Sequence, residues 1–471
     1  MSTVRRIAKN TTVVIGWNIA NRLVSLLIAI YLARYLGVTG YGNYSFISAY
    51  VLFFGVIVDL GINTFLVREI AKYRKRTEEL VANGIGIKLV LFLIAFLLSS
   101  IIISYLNYPS EVKISVYIAT FTLLFSSTTS LLSTLFQADL EMLYPAFADL
   151  AGRLLLGALI LFISYQKGGL VSIILASLAA NVFSFILLYL LSKRKTSVSV
   201  KFDIEIWKEI LEPAVLLGLS GIFSSVIIRM DTILLSLLKG NTEVGFYSVP
   251  SQLTDSTTLI PLAFMSSMFP LMSSYSKVSK DSLSKSFRLA VKYMLMLAIP
   301  MAFGITLLSD RIITAIYGAE FLPSSPALVI MIWCHILVFC VIVFDTLLVS
   351  IELQRKVFVA TGVTAIFNVV ANLLLIPQLG FIGAAIALLL SYLLATVLYL
   401  HYLPKSFKLL DWRFVIRSAL ASFLMSLFIS YSNLHMYAII PIAAILYFIF
   451  LAVLGGISKE DIEIFKKLRV K

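Results

Sequence analysis

Long apolar stretches follow one another along almost the whole chain of 471 residues, separated by short polar segments. A helix that spans a bilayer needs roughly 20 apolar residues, and about fourteen stretches reach that length. The composition agrees, with 60% hydrophobic and only 13% charged residues. The sequence therefore predicts an all-α polytopic membrane protein with about fourteen transmembrane helices.

Basic residues gather in alternate polar segments. The chain holds 38 Lys and Arg against 24 Asp and Glu, a net charge of +14. With the N-terminus in the cytoplasm, most of these cations fall in cytoplasmic segments such as "REIAKYRKR" and "KEDIEIFKKLRVK". This asymmetry is the positive-inside rule, and it explains the basicity without a nucleic-acid partner. We expect a multi-pass protein of the cell membrane with both termini cytoplasmic.

Two short turns of similar sequence indicate an internal repeat. "GVTGYGNYS" begins at Gly37 and "GNTEVGFYS" begins at Gly240. Small residues, which let helices approach closely in lipid, also recur at every fourth position in the sixth and twelfth spans. They are Ser172, Ala176, Ala180 and Ser184 in one span, and Gly383, Ala387, Ser391 and Ala395 in the other. Copies six spans apart share one orientation, which predicts two six-helix bundles about a pseudo-twofold axis along the membrane normal.

The repeat divides the chain into three predicted regions. Residues 1–195 form the first bundle, residues 196–405 the second, and residues 406–471 two additional spans with a basic tail. Two bundles of this kind are typical of transporters that rock one half against the other. The eighth span carries Pro250, Pro261 and Pro270, so we expect it to bend; a static kink and a gating hinge both remain open.

Two charges lie inside the seventh span, in "SSVIIRMDTILLSLL". Placing Arg229 or Asp231 at the bilayer centre costs roughly 2.5–3.5 kcal/mol each, so both must meet protein or water. Residues two apart point to nearly opposite sides of a helix, whereas partners lie three or four apart. Each charge is therefore expected to have its own partner.

Further polar residues mark the first half of the chain. Asn18, Asn21 and Arg22 lie together on the first span, and Arg22 corresponds to Arg229 in the predicted repeat. Both arginines are expected to line a substrate cavity. Two more cations complete the set.

Lys88 in the third span and Arg153 in the fifth are the remaining candidates for this cavity. Lys88 lies near the cytoplasmic end of its span and could instead snorkel to the surface. Arg153 follows Asp149 by four residues, so it could instead form a structural ion pair.

Three acids inside the spans, Asp59, Asp231 and Asp255, can bind a coupling cation or balance an arginine. We expect Asp231 to balance charge, and Asp255 could serve an ion or gating role. A cavity with excess positive charge suits an anionic substrate, since the planar arginine fork binds phosphate well.

Three passages carry a resemblance to a known family: "RMDTILLSLLKGNTEVGFYS", its echo "YLARYLGVTGYGNYSF", and "LGFIGAAIA". With the two bundles and two extra spans, the chain resembles the polysaccharide-transporter branch of the multidrug/oligosaccharidyl-lipid/polysaccharide exporter superfamily, which is related to the lipid II flippases. The resemblance covers essentially the full length.

The resemblance implies a flippase that moves polyprenyl-diphosphate-linked oligosaccharide from the cytoplasmic to the outer leaflet by alternating access, for surface polysaccharide or glycoprotein glycan assembly. It implies that Arg22 and Arg229 contact the diphosphate and that the last two spans form a groove for the lipid tail. Related flippases often carry further cavity arginines, whereas here only Lys88 and Arg153 are available. A polysaccharide polymerase or glycan ligase would be a natural partner.

The alternative is a cation-coupled multidrug exporter of the same superfamily, which usually has twelve spans and depends on embedded acids. Enzymatic readings have little support, because the chain has no P-loop and its three histidines lack metal-ligand spacing. We expect no cofactor and no bound metal. The driving force is then a Na⁺ or H⁺ gradient or the membrane potential.

Overall fold

The structure, a computed structural model, describes residues 3–196, 198–404, 407, 412–432, 434–458 and 461. The side chains of residues 3–15, 18, 216, 217 and 220 lie outside this description. All regular secondary structure in the described residues is helical. Eleven helical segments there are long and apolar enough to cross a membrane. The predicted all-α membrane fold is confirmed.

The chain forms two compact units, Met1–Ser248 and Val249–Lys471. In the first unit the helices are α1 (Thr3–Asp59), α2 (Ile62–Lys72), α3 (Thr77–Tyr105), α4 (Ser110–Ala138), α5 (Leu143–Tyr165), α6 (Leu170–Ser192) and α7 (Ile204–Lys239). The boundary falls within α8 (Asn241–Thr257). The second unit continues with α9 (Leu259–Val278), α10 (Lys280–Tyr317), α11 (Ser325–Ser350), α12 (Gln354–Tyr402), α13 (Trp412–Tyr431) and α14 (Met436–Val453).

Several predicted spans join or divide in the structure. Helix α1 holds the first two spans and turns at Gly37, and α12 holds the eleventh and twelfth and turns at Gly380. The eighth span is divided at Thr258, between α8 and α9. The helix is therefore interrupted where the bend is predicted.

The two turns that echo one another in sequence pack directly together within the first unit. Gly37 has φ 66° and ψ −178°, and Gly240 has φ 89° and ψ 174°. Only glycine adopts such angles readily. The Oγ1 atoms of Thr39 and Thr242 are 2.9 Å apart. The echo therefore reflects one backbone conformation used twice at a shared contact, which we call the turn pair.

Glycine is also required where the backbones of the turn pair approach each other. A Cβ atom on Gly42 would lie 1.7 Å from the carbonyl oxygen of Asn241, and one on Gly245 would lie 2.1 Å from that of Val38. No side chain fits at such distances. The amide of Asn241 also donates from Nδ2 to Oδ1 of Asn43 at 2.6 Å.

The first compact unit extends to Ser248 because α7 packs against α1, α2 and α3. The two compact units are defined by which helices pack together, whereas the predicted boundaries at residues 195 and 405 follow the internal repeat of the sequence. The division into regions 1–195, 196–405 and 406–471 stays a prediction.

The last two helices pack onto α10. Helix α13 contacts both α10 and α14, and Ser418 and Ser422 on its small-residue face are fully buried. The hydroxyl of Tyr447 donates to the carbonyl of Met296 at 2.8 Å and lies 2.9 Å from the Ser418 hydroxyl. Small residues on α13 thus make room for a buried tyrosine that joins three helices.

A buried carboxylate ties the segment after α14 to α10. Asp461 pairs with the ammonium group of Lys292, accepts from Tyr293 Oη at 3.0 Å, and accepts from the Ser458 backbone N–H at 2.7 Å. Partial burial opposes ionisation, but Lys292 and Ser458 hold the pKa of the Asp461 carboxyl below its ordinary value. The carboxylate is therefore a folded-state anchor.

Replacing this anchor in an Asp461→Asn variant is expected to lower the free energy of unfolding by roughly 1.5–3 kcal/mol, the value of charge-assisted hydrogen bonds. Because folding lowers this pKa, the wild-type anchor should weaken as the pH falls below about 4. Thermal unfolding and hydrogen exchange over residues 436–458 measure both effects. Glu352→Gln, at an exposed acid, is the control, and equal exchange in the two variants would contradict the anchor.

Candidate functional site

A polar cavity of about 440 Å³ lies inside the first unit. Helices α1, α2, α3, α4 and α7 contribute its walls, and its polar lining consists of Asp59, Asn63, Thr64, Lys88, Ser126, Ser127, Ser130 and Ser225. Polar groups inside membrane helices are expensive unless they bind each other, water or a ligand. The cavity is therefore a candidate functional site.

An interrupted helix forms one wall of the cavity. Helix α1 ends at Asp59, Leu60 and Gly61 both have positive φ (39° and 80°), and α2 begins at Ile62. A positive φ is strained for leucine. Irregular backbone at membrane depth is tolerated where it is covered by protein or lines a cavity, and this interruption does both.

Neighbouring helices hold the interruption in place. Helix α7 approaches so closely that a Cβ on Gly218 would lie 2.5 Å from the carbonyl carbon of Leu60. On the other side of the interruption, Asn63 Nδ2 donates to Ser130 Oγ of α4 at 2.8 Å. The strained geometry is thus fixed from two sides, as is common at functional sites.

An ion pair crosses the cavity from α3 to the end of α1. Lys88 Nζ lies 3.1 Å from Asp59 Oδ1 and donates to the carbonyl of Ser127 at 3.0 Å. The lysine side chain is 1% exposed, whereas that of the aspartate is 44% exposed. The structure therefore excludes snorkelling for Lys88, and it places Lys88 and Asp59 together as an ion pair.

A second polar group joins α1 to α5. Arg153 Nε lies 3.1 Å from Asp149 Oδ2, and its Nη1 donates to the hydroxyl of Ser25. Ser25 in turn donates to the carbonyl of Asn21 at 2.8 Å. The predicted intrahelical pair of Arg153 is present, and it is linked to the polar line on the first span.

Arg22 lies on the same part of α1. Its side chain is exposed, and Arg22 makes no hydrogen bond or ion pair with any residue that the structure describes. The neighbouring Asn21 is buried, and its Oδ1 has no hydrogen-bond donor in the described part of the chain. Asn18, predicted for the same group, has a side chain outside the described residues.

The two charges of α7 lie in different surroundings. Asp231 is 2% exposed and accepts a hydrogen bond from Tyr247 Oη at 2.7 Å. Arg229, two residues before it, is half-buried. Sequence reasoning did not identify Tyr247 as a partner, although the echo of Tyr44 at the corresponding repeat position was available as a signal.

Asp255 belongs to the second unit. It lies on α8 and faces His335 of α11, with 4.0 Å between Asp255 Oδ1 and His335 Nε2. Among the described residues, no three His, Cys, Asp or Glu side chains form a group that could hold a metal ion. Cys334 and Cys340 are both buried free thiols.

Segments that follow α2, α4 and α6 carry a separate ionic cluster in the first unit. Asp139, just after α4, pairs with Arg74 and Lys195. Partial burial opposes ionisation of Asp139, but the two cations hold the pKa of its carboxyl below its ordinary value. Arg76 contacts both Glu209 oxygens at 2.8 Å. These contacts fix the segments around the bundle and are structural.

Comparisons with known proteins agree on one family. The family model described as "Polysaccharide biosynthesis protein" matches residues 7–276, more than half of the chain. The one described as "Lipid II flippase MurJ" matches residues 253–454. The two matches together reach from α1 into α14.

Two curated relatives come from Haloferax volcanii. "Probable low-salt glycan biosynthesis flippase Agl15" is 29% identical over 177 residues, 37% of this chain and 38% of that protein. "Probable flippase AglR" is 31% identical over 190 residues, 38% of this chain and 39% of that protein. The chain thus spans less than two fifths of the length of these relatives.

One solved structure shares the fold over nearly the whole chain. It is described as "Lipid II flippase MurJ, inward closed conformation", and it matches with a TM-score of 0.78 at 15% identity over 97% of this chain and 100% of that chain. The family model over residues 7–276 by itself shows that the chain belongs to the polysaccharide biosynthesis protein family.

Proposed function

We propose that this protein moves a polyprenyl-diphosphate-linked oligosaccharide from the cytoplasmic to the outer leaflet by alternating access. The observation that carries the proposal is Arg22, an arginine within a membrane span with no partner among the described residues. A guanidinium at such a position needs an anion, and phosphate matches its planar fork of donors. The family and the named activities of the Haloferax relatives support the same substrate class.

The cations of the first unit differ in whether an acid neutralises them, and this difference separates their proposed roles. Lys88 is neutralised by Asp59, and Arg153 is neutralised by Asp149. Neither cation has its full charge available for a diphosphate. Arg22, with Arg229 as its counterpart in the repeat, is then the diphosphate contact, while the charge-balanced cavity suits neutral hydroxyl groups of a sugar.

The proposed function also specifies an orientation in the membrane, a place for the lipid tail and a driving force for transport. Both termini lie in the cytoplasm, the last two helices offer a groove for the lipid tail, and a polymerase or ligase uses the translocated glycan. An ion gradient or the membrane potential drives the cycle, with no cofactor, metal or enzymatic step. The basic segments and the positive-inside asymmetry support this orientation.

Replacing the arginines tests the proposed contact. Arg22→Ala and Arg229→Ala are each expected to reduce glycan export at least about tenfold, the effect of losing one charge-assisted phosphate contact. Arg22→Lys should retain part of the activity, because the charge remains but the planar fork does not. Export is measured as surface glycan in cells that depend on this protein, and as flipping of a defined lipid-diphosphate sugar in proteoliposomes.

The controls separate the proposal from a multidrug exporter. Arg311→Ala, at an exposed arginine of α10, should leave export unchanged, and drug resistance should be unaffected by every variant. Loss of drug resistance with intact glycan export would favour the exporter. Full export by both Arg22→Ala and Arg229→Ala would contradict the diphosphate contact.

A further inference from the structure

A histidine and an aspartate face each other inside the second unit. His335 on α11 is 4% exposed, and its Nε2 lies 4.0 Å from Asp255 Oδ1 on α8. This separation is about 1 Å longer than a hydrogen bond between nitrogen and oxygen. The two groups are adjacent without being bonded.

The other ring nitrogen determines which proton is present. His335 Nδ1 lies 2.8 Å from the carbonyl oxygen of Met331. A carbonyl oxygen can only accept a hydrogen bond, so Nδ1 carries the hydrogen. Nε2 of a neutral ring is then an acceptor that faces a carboxylate, which is another acceptor. One proton between them would turn a repulsive contact into a charge-assisted hydrogen bond.

The surroundings of the ring leave Asp255 as the group that can stabilise such a proton. The space beside the imidazole is lined by Thr257, Ala298, Met301 and Phe339, among others, and admits no water molecule. The carboxylate of Asp255 lies beside Nε2, at 4.0 Å.

Four other charged groups of the second unit lie elsewhere. Asp345, on the same helix as His335, accepts a hydrogen bond from Tyr399 of α12 at 3.0 Å. Lys292 of α10 pairs with Asp461. Lys277 of α9 and Arg355 of α12 lie at or near helix ends, away from the ring at the centre of α11.

Asp255 is partly exposed, and its backbone is bonded to the residue between α8 and α9. Its side chain is 51% exposed, so it is not sealed inside the second unit. Its backbone carbonyl accepts hydrogen bonds from the N–H (3.2 Å) and hydroxyl (2.6 Å) of Thr258, the residue that divides α8 from α9. Movement of Asp255 is therefore transmitted directly to the bend of the eighth span.

We propose that Asp255 and His335 together form a binding site for one exchangeable proton that sets the bend between α8 and α9. The proton arrives from water, forms an Nε2–H bond, and leaves an imidazolium beside a carboxylate. The pair then closes by about 1 Å to hydrogen-bond distance, which draws the end of α8 towards α11. Loss of the proton to water restores the separated arrangement.

This site would make the proposed transport cycle responsive to a proton gradient, and that extension rests on the proposed function. The proton site itself does not depend on the proposed function. Its test therefore begins with a measurement that needs no transport.

The titration experiment uses the full chain in nanodiscs with His401→Gln and His435→Gln, which leaves His335 as the single histidine of the three. The ring carries ¹³C, and its NMR signal is followed against pH. We expect one titration, and we expect Asp255→Asn to move its midpoint to lower pH by about 1–3 units, because an opposite charge nearby favours the imidazolium. Asp345→Asn is the matched control and should leave the midpoint in place.

A second readout reports the bend. Hydrogen exchange over residues 255–262 should decrease when the pH falls through the midpoint, and this decrease should be absent in His335→Gln. Thermal unfolding confirms that each variant is folded. A ring that never titrates, a midpoint unchanged by Asp255→Asn, or the same exchange response in His335→Gln would each overturn the proton site.

Transport then separates the two proposals. In proteoliposomes containing a lipid-diphosphate sugar, wild-type flipping should change at least about threefold when a pH gradient is imposed, and His335→Gln should lose that response. Flipping that ignores the gradient overturns the coupling and leaves the flippase proposal intact. No flipping by the wild type overturns the proposed function, while the titration still decides the proton site.

Discussion

Replacing Asp59 by asparagine is expected to destabilise the folded protein more than replacing its partner Lys88 by methionine. The reason is the unequal burial of the pair, with 44% of the Asp59 side chain exposed and 1% of the Lys88 side chain. Asp59→Asn leaves a buried ammonium without its counter-ion, which typically costs roughly 3–5 kcal/mol. Lys88→Met leaves a carboxylate that water in the cavity can still solvate, so about 1 kcal/mol is expected.

The double variant completes this test. Asp59→Asn with Lys88→Met removes both charges, so its stability should return towards that of Lys88→Met alone. The coupling is measured by thermal unfolding of all four proteins in one detergent, as a double-mutant cycle. Equal destabilisation by the two single variants would show that Lys88 is not buried as described. Glycan export by the stable Lys88→Met variant then reports whether the cavity contributes to transport.

Cross-linking the turn pair is expected to stop glycan export. The hydroxyl oxygens of Thr39 and Thr242 are 2.9 Å apart, so cysteines at these positions bring their sulfur atoms close enough to bond. If export requires alternating access, this contact must open in each cycle. Thr39→Cys with Thr242→Cys, in a chain with Cys334 and Cys340 replaced by alanine, should lose at least about tenfold of its export under oxidising conditions.

Reversibility distinguishes this block from misfolding. Reductant should restore export, and each single cysteine variant should stay active under both conditions. Gly42→Val offers an independent approach, because a Cβ there would lie 1.7 Å from the Asn241 carbonyl oxygen and must displace it. Full export by the cross-linked protein would contradict opening of the turn pair.

The spans, the repeated turns and the bend in the eighth span could all be predicted because each depends on local sequence. Lipid selects runs of apolar residues whatever their neighbours are, and a positive φ at Gly37 and Gly240 selects glycine. The structure explains the remaining identities of the echo, since Thr39, Gly42, Thr242 and Gly245 meet at one contact.

The partners of the embedded charges could not be predicted in the same way. The sequence is compatible with two locations for the Lys88 side chain, a cavity and the membrane surface. Only the structure shows that it meets Asp59 at an interrupted helix. No local signal announces positive φ at Leu60, because the neighbouring helices α4 and α7 impose it. His335 gave no sign of a charged partner, since Asp255 lies 80 positions earlier in the chain.

The order of the amino acids is sufficient to predict that this chain spans a membrane many times, repeats one turn, and carries unusual charges within its spans. Which polar groups lie next to one another follows from the packing of the helices: Lys88 beside Asp59, Arg153 beside Ser25, and His335 beside Asp255. The reason is that lipid accepts apolar residues on the outer face of a helix as readily as the core does. Hydrophobic periodicity therefore does not reveal which face of a membrane helix turns inward, and only packing brings the polar groups together.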